Sequence, residues 1–333
     1  MEPALIVEWV IKSVILLLFG TGGFAYLTLY ERRALARIQT RIGPNRAGPF
    51  GLLQPVADGI KLIFNEELIP DRADKLMFVL APIITVFPAL VIWAVIPWGT
   101  SITMFGRVIP LYLADVNIGV LYLTAIASIA VYGIVIAGWA SNNKYALLGG
   151  LRSSAQMVSY ELALGLSMLG PIMLAGSMSL VDIVEAQSKV WYVVWQPLAF
   201  IIFMIAALAE VNRAPFDMPE AEQELVAGYH SEYSGMKFAL FFMAEYIKMI
   251  AVSAIAATMF LGGYKLPFIE LPAIFGPAIL MAKIIVLLFG MIWVRATLPR
   301  FRYDRLMAFG WKVMLPLALL SVFVTAVIMV IIG

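Results

Sequence analysis

The segment from residue 210 to residue 233, EVNRAPFDMPEAEQELVAGYHSEY, combines many carboxylates with a single arginine, Arg213. If the residues after Asp217 form a helix, Glu220 and Glu224 share one face and repel each other. Each proton lost then makes the next one harder to remove, so the cluster can hold and transfer protons near neutral pH. The alternative is a solvated acidic loop that binds nothing. The acids of this segment are Glu210, Asp217, Glu220, Glu222, Glu224 and Glu232.

Other ionisable residues interrupt apolar stretches of the chain, namely Glu161, Glu245, Lys248 and Lys283. Glu245 and Lys248 are three residues apart and can form an ion pair on one helix face. Charge inside a bilayer is costly and usually marks a hydrated or proton-conducting path. We therefore expect these residues to act together with the acidic segment.

The residue types that are missing limit the chemistry further. The chain has no cysteine and one histidine, His230. Iron–sulfur clusters, haems and zinc sites need thiolate or imidazole ligands in larger numbers. No P-loop or dinucleotide fingerprint is present either. We expect no haem, iron–sulfur cluster, flavin or metal on this chain, and no nucleic-acid partner; any nucleotide chemistry belongs to a partner protein.

The elements that carry these residues are predicted from hydropathy. Apolar residues make up 62% of the 333 residues, well above a soluble domain. Crossing a bilayer takes about 20 apolar residues in a helix. The sequence therefore predicts an all-α, polytopic membrane protein with one domain over residues 1–333. Its eight predicted spans lie at roughly 10–30, 76–98, 116–139, 155–177, 190–210, 237–262, 274–295 and 312–332.

Lysine and arginine are concentrated on one side of the predicted spans, in the first, third, fifth and seventh loops. The other face has only Lys12, Arg107, Lys189 and Lys265. Because cytoplasmic flanks hold the excess of cations, we expect both termini to lie outside, on the outer side of the membrane. The loops rich in lysine and arginine should then lie in the cytoplasm, or in the matrix of an organelle. The acidic loop, 210–236, is then cytoplasmic.

The first cytoplasmic loop, residues 31–75, contains an amphipathic stretch, GLLQPVADGIKLIF. Leu53, Val56, Ile60 and Phe64 recur at helical spacing, while Asp58 points elsewhere. This pattern is typical of a helix lying in the membrane interface. Such a helix is either a simple anchor or the wall of a site.

These patterns alone leave two functions open. One is a carrier that translocates an ion or solute, and the other is a membrane anchor that forms a site for a lipid-soluble ligand next to a redox partner. Autonomous transport by the purified chain distinguishes the two.

Five segments carry a resemblance to a known family. They are RIGPNRAGPFGLLQPVADGIKL (41–62), RSSAQMVSYE (152–161), AEVNRAPFDMPEAEQELVAGYHSEYSG (209–235), FFMAEY (241–246) and PRFRYDRLM (299–307). In this order they closely resemble the H-type membrane subunits of bacterial NADH:quinone oxidoreductase, the counterparts of mitochondrial NADH dehydrogenase subunit one. The resemblance covers nearly the whole chain.

The resemblance implies a multi-pass subunit of respiratory complex I in the bacterial plasma membrane. Such a subunit forms much of a quinone chamber where the membrane and hydrophilic arms meet, among lipids and other subunits. Electrons would come from an iron–sulfur cluster in a neighbouring subunit, and the acids would couple quinone reduction to proton translocation.

The resemblance also suggests roles for individual residues. Those expected to line or brace the quinone passage are Glu31, Arg32, Arg41, Asp58, Arg213, Phe242, Tyr246, Arg295 and Arg300. Those expected in the proton-coupling path are Glu161, Glu210, Glu220, Glu222, Glu224, Glu232, Glu245 and Lys283.

Overall fold

The computed structural model describes residues 3–104, 106–218, 228–269 and 271–332, and helices dominate these ranges. The α-helices are α1 (Pro3–Ile38), α2 (Gln54–Ile63), α3 (Lys75–Val91), α4 (Gly119–Ala140), α5 (Lys144–Ala175), α6 (Leu180–Ala186), α7 (Tyr192–Trp195), α8 (Pro197–Glu210), α9 (Gly235–Phe260), α10 (Gly276–Thr297), α11 (Tyr303–Phe309) and α12 (Leu315–Ile332).

Seven helical segments in the described ranges are long and apolar enough to cross a membrane. This confirms the predicted all-α, polytopic membrane class. The segments are Leu5–Ile38, Lys75–Val95, Gly119–Ala140, Lys144–Ala175, Gly235–Phe260, Ala273–Thr297 and Tyr303–Ile331.

The predicted fifth span is the exception, so the count is seven rather than eight among the described residues. The stretch 190–210 is divided into α7 and the 14-residue helix α8. Gln196 leaves the helical region, with φ −133° and ψ 57°, because Pro197 disfavours helical backbone in the residue before it. At about 1.5 Å per residue, α8 is about 21 Å long, shorter than the ~30 Å hydrocarbon core.

A short hairpin between α3 and α4 was not predicted. Strand β1 (Ser101–Met104) pairs antiparallel with β2 (Arg107–Pro110), and Ser101 lies opposite Pro110. Its four-residue strands are too short to give a clear alternating pattern in the sequence.

Helix α9 lies at the centre of the bundle and is the most buried of the candidate spans. It packs against α1, α3, α8 and α10, while α3, α4 and α5 pack in succession and α5 also contacts α8 and α12. Helix α1 is the least buried span and exposes apolar side chains such as Val10, Ile15 and Leu18. Such surfaces are expected where a helix faces lipid.

The bundle has two chemically different ends. At the first, here called the acidic end, the C-terminus of α8, the first turns of α9 and the C-terminus of α10 meet the second half of α1. At the opposite end, the C-terminus of α9 meets α10, where Gly276 packs against the backbone that precedes the hairpin.

Candidate functional site

Glu31 of α1 is the first anchor of the acidic end. Its side chain is buried, and its Oε1 accepts hydrogen bonds from Arg295 of α10 and from Arg213 Nη1, the latter at 3.3 Å. One carboxylate thus joins α1, α10 and the loop after α8. Burying it without these cations would cost several kcal/mol.

Arg213 is the centre of this end. Its guanidinium also forms an ion pair with Glu245 of α9 and lies 4.1 Å from the ring centroid of Tyr246. Burial disfavours the charged guanidinium, but the carboxylates of Glu245 and Glu31 outweigh burial and raise the pKa of Arg213. Arg213 is therefore a permanent cation that holds two carboxylates and one aromatic ring together.

Lys248 of α9 forms a second buried pair, with its Nζ 2.9 Å from Oε1 of Glu210 at the end of α8. Glu245 and Lys248 each have an ion-pair partner from another element, Arg213 for Glu245 and Glu210 for Lys248. We call the six residues the ion-pair cluster, and in it three carboxylates balance three cations. Its members are Glu31, Glu210, Arg213, Glu245, Lys248 and Arg295.

A small void adjoins the cluster. Its volume is about 30 Å³, which is enough for a water molecule, and it is lined by Glu210, Asp217, His230, Glu245 and Lys248. Titratable groups of two ion pairs therefore border one space.

Glu161 of α5 lies close enough to Glu210 to interact with it electrostatically. Ser128 of α4 donates a hydrogen bond to its Oε1, and the charges of Glu210 and Lys248 both act on it. Ser128 also contacts the carbonyl oxygen of Thr124 at 2.9 Å. The sequence did not indicate Ser128, because a lone hydroxyl in an apolar span gives no pattern.

A larger cavity lies on the other side of Arg213, between α1, α2 and α9, with a volume of about 390 Å³. Helix α2 is the predicted amphipathic helix, and its Val56 and Ile60 are exposed. Apolar side chains dominate the wall. The lining includes four of the predicted site residues, Arg32, Asp58, Phe242 and Tyr246.

The polar groups at the wall of this cavity include Lys61 and an ion pair between α1 and α2. Arg32 Nη1 lies 2.7 Å from Asp58 Oδ2, and Gln54 Nε2 donates to Asp58 Oδ1 at 3.1 Å. Tyr246 lines the same cavity and also lies under Arg213. The cavity and the ion-pair cluster therefore share a wall.

Several predicted residues lie elsewhere. Arg41 is exposed and its Nε donates to Gln39 Oε1 at 2.7 Å, and Arg300 is exposed beyond α10. Glu232 accepts a hydrogen bond from Asn143 Nδ2 at 2.6 Å, at the start of α5. Glu220, Glu222 and Glu224 lie outside the described residues.

Lys283 is not part of the cluster. Its ammonium donates to the carbonyl oxygens of Leu261, Gly263 and Lys265, each at 2.6 Å, and lies 4.9 Å from the ring of Trp191. These carbonyls lie in the segment that directly follows α9, opposite the acidic end. Lys283 lies two turns after the start of α10, and this position brings it to the end of the bundle opposite the acidic end.

Comparison with known proteins shows the family of the chain. A model of the family described as NADH dehydrogenase matches residues 11–326. The chain is 53% identical to the H-type subunit of NADH-quinone oxidoreductase from Thermomicrobium roseum, over 97% of the chain and 96% of the relative. It is 55% identical to an H-type subunit from Geobacter metallireducens over 90% of each chain, and 51% identical to one from Syntrophobacter fumaroxidans over 96% and 94%.

Proposed function

The chain belongs to the NADH dehydrogenase family as a multi-pass membrane subunit of an NADH-quinone oxidoreductase complex, and from that premise we propose that it forms much of the quinone chamber. We further propose that it couples quinone reduction to proton translocation. The other subunits of the complex are its partners, and the chain works within the bacterial plasma membrane. The electrons come from an iron–sulfur cluster in a neighbouring subunit.

The observation that carries the proposal is the shared wall between the cavity and the ion-pair cluster. A quinone needs an apolar passage for its tail and a few polar groups for its head. The cavity between α1, α2 and α9 supplies apolar walls, with Arg32, Asp58 and Lys61 among its polar groups. Tyr246 then lies between a quinone in this cavity and Arg213.

Coupling follows from electrostatics. Reduction of a quinone to a quinol takes up two electrons and two protons, so negative charge develops in the chamber before protonation is complete. Negative charge near Tyr246 attracts Arg213 and weakens its hold on Glu245 and Glu31. A carboxylate that loses its cation binds a proton more tightly. Proton uptake at the acids thus accompanies reduction.

The path away from the chamber runs through the second pair. Glu245 and Lys248 border the same small void as Glu210, and Glu210 acts electrostatically on Glu161. Glu161 then passes the proton on toward the membrane arm. Because of the family resemblance, we propose that Glu220, Glu222, Glu224 and Glu232 form the entry side of the path. Lys283 is not part of the proposed path, because its ammonium donates to neutral backbone carbonyls.

The proposal is tested by labelling the assembled complex with a photoreactive quinone whose reactive group sits on the head. We expect labelled peptides from α2 and from the part of α9 that contains Phe242 and Tyr246, and excess unlabelled quinone should remove the label. Labelling that avoids both helices would refute the chamber assignment.

A further inference from the structure

A second large cavity lies between α8 and α10, with a volume of about 660 Å³. Among the described residues, none lines both this cavity and the one between α1, α2 and α9. Its walls are apolar, and they include Met204 and Leu208 of α8 and Met291 and Val294 of α10. We call it the α8–α10 cavity.

The α8–α10 cavity opens between two helices and has the length of a partial acyl chain. Its α8 wall runs from Phe200 to Leu208, about 12 Å at ~1.5 Å per residue. Ile201 and Leu298 on its rim are exposed. An apolar groove of this kind on a membrane helix bundle faces hydrocarbon.

One end of the α8–α10 cavity carries a cation, Arg305 of α11. Its side chain is exposed, and it takes part in no ion pair or side-chain hydrogen bond with the described residues. Arg302, in contrast, lies 3.4 Å from Asp304 and does not line the cavity. Within the described part of the chain, Arg305 therefore has a free guanidinium where the apolar wall ends.

The segment that carries Arg305 is held in place over the cavity. Phe301 N donates to Pro215 O at 3.2 Å, and the rings of Phe216 and Phe301 stack with centroids 5.8 Å apart. Tyr160 of α5 donates its hydroxyl to Leu306 O at 2.9 Å. The charged end of the cavity is thus part of the folded structure.

We propose that the α8–α10 cavity binds an anionic phospholipid, with an acyl chain between α8 and α10 and the phosphodiester on Arg305. The occupant must be apolar over most of its length and anionic at one end. A quinone has no charge for Arg305, and a neighbouring apolar helix would leave the guanidinium unpaired. A phosphodiester accepts two charge-assisted hydrogen bonds from it.

The orientation expected from the cation distribution supports this occupant. It places the acidic end, and with it Arg305, at the cytoplasmic leaflet, where anionic lipids are attracted by basic residues. The lipid would also contact Phe216 and Val294, which are close in sequence to Arg213 and Arg295 of the ion-pair cluster. A bound lipid would therefore support both sides of the cluster.

The test uses the assembled complex in vesicles that contain phosphatidylglycerol or phosphatidylcholine with a photoreactive acyl chain. We expect phosphatidylglycerol to label the α8 and α10 peptides, and phosphatidylcholine to label them much less. Arg305→Gln should lower the phosphatidylglycerol label roughly tenfold, as for the loss of one charge-assisted contact. Arg302→Gln is the matched control and should leave the label unchanged.

A second variant tests the apolar part of the site. At Gly290, an added Cβ meets no atom within 4 Å, so Gly290→Leu fills the α8–α10 cavity without a clash at Cβ. It should abolish labelling by either lipid. Gly165→Leu in α5 has the same open space at Cβ, lies outside the cavity, and should label like the natural chain.

Three results would overturn the proposal. Equal labelling by both lipids would show that the net negative charge of the head group, which the choline cation cancels in phosphatidylcholine, is not recognised. An Arg305→Gln variant that labels fully would remove Arg305 from the site. Protection of these peptides by added quinone, or by a neighbouring protein that covers them in the complex, would assign the cavity to another occupant.

Discussion

Two lysines in the membrane helices, Lys248 and Lys283, meet partners of different chemistry. Lys248 lies 2.9 Å from the carboxylate of Glu210 at the acidic end, whereas Lys283 donates to three backbone carbonyls at the opposite end. A carboxylate can bind and release a proton, and a carbonyl cannot. The same residue type therefore pairs with a group that can exchange protons at one end and with backbone carbonyls after a helix at the other.

The opposite end has the features of a helix cap. The last carbonyls of α9 lack intrahelical donors, and Lys283 supplies three N–H groups for this region. Gln187 adds further hydrogen bonds, because its Nε2 donates to Thr258 O at 2.9 Å and its Oε1 accepts from Gly262 N at 2.9 Å. Gly262 and Gly263 have φ of +70° and +52°, which glycine adopts without strain.

The largest effect is expected from Lys283→Met. Three carbonyls lose their donor, and each unpaired buried group costs about 1–3 kcal/mol, so the folded subunit should lose roughly 3 kcal/mol or more. The yield and thermal stability of the assembled complex measure this. Activity per assembled complex should stay normal. A stable complex with impaired proton pumping would instead show that Lys283 takes part in proton transfer, and the contrast with Lys248 would then be wrong.

Glu210→Gln comes next. The amide keeps the shape and an acceptor for Lys248, so the complex should assemble, but the side chain no longer binds a proton. We expect coupled quinone reduction to fall roughly tenfold, equal to about 1.4 kcal/mol of activation free energy. Proton pumping and quinone reductase activity in vesicles are the measurements. Glu222→Gln should behave alike, and normal pumping in both variants would contradict the coupling role.

A smaller effect is expected from Ser128→Ala, which removes the hydroxyl that donates to Glu161. A hydrogen bond to a charged group contributes about 1.5–3 kcal/mol, part of which water can replace. Coupled quinone reduction should fall about threefold, and Ser128→Thr, which keeps the hydroxyl, should retain most of the activity. Equal rates for Ser128→Ala and the natural chain would show that the hydrogen bond from Ser128 to Glu161 does not contribute to coupling.

The smallest effect on stability is expected from Asp58→Asn. The pair with Arg32 is half exposed, and such pairs contribute less than about 1 kcal/mol. Thermal stability should therefore stay within error, while the KM for quinone rises because the cavity wall loses its carboxylate. A change in stability without a change in KM would make Asp58 a structural residue only.

The sequence was sufficient for the membrane class and for the position of most spans. Long apolar runs give an unambiguous signal because a bilayer imposes a length on every crossing helix. The amphipathic helix was also predicted correctly in position, and α2 covers Gln54–Ile63. The interruption at Gln196 was missed because a hydropathy window averages over one proline.

Partners across helices were beyond the sequence. Glu245 and Lys248 lie at the right spacing to pair, yet Arg213 and Glu210 reach them from another element. Such pairings depend on how each helix is rotated about its axis, which tertiary packing decides. For Lys283, the charge suggested a proton path, but its partners are backbone atoms that no residue type reveals.

The fastening of α9 at one end has a mechanical consequence. Lys283 and Gln187 tie the last residues of this helix to α10 and to the segment after α6, so the helix cannot slide along its axis without breaking several hydrogen bonds. A closely packed interior resists gradual deformation as well. We therefore expect movement at Glu245 and Lys248 to occur by side-chain rearrangement, while the backbone of α9 stays in place relative to the neighbouring helices.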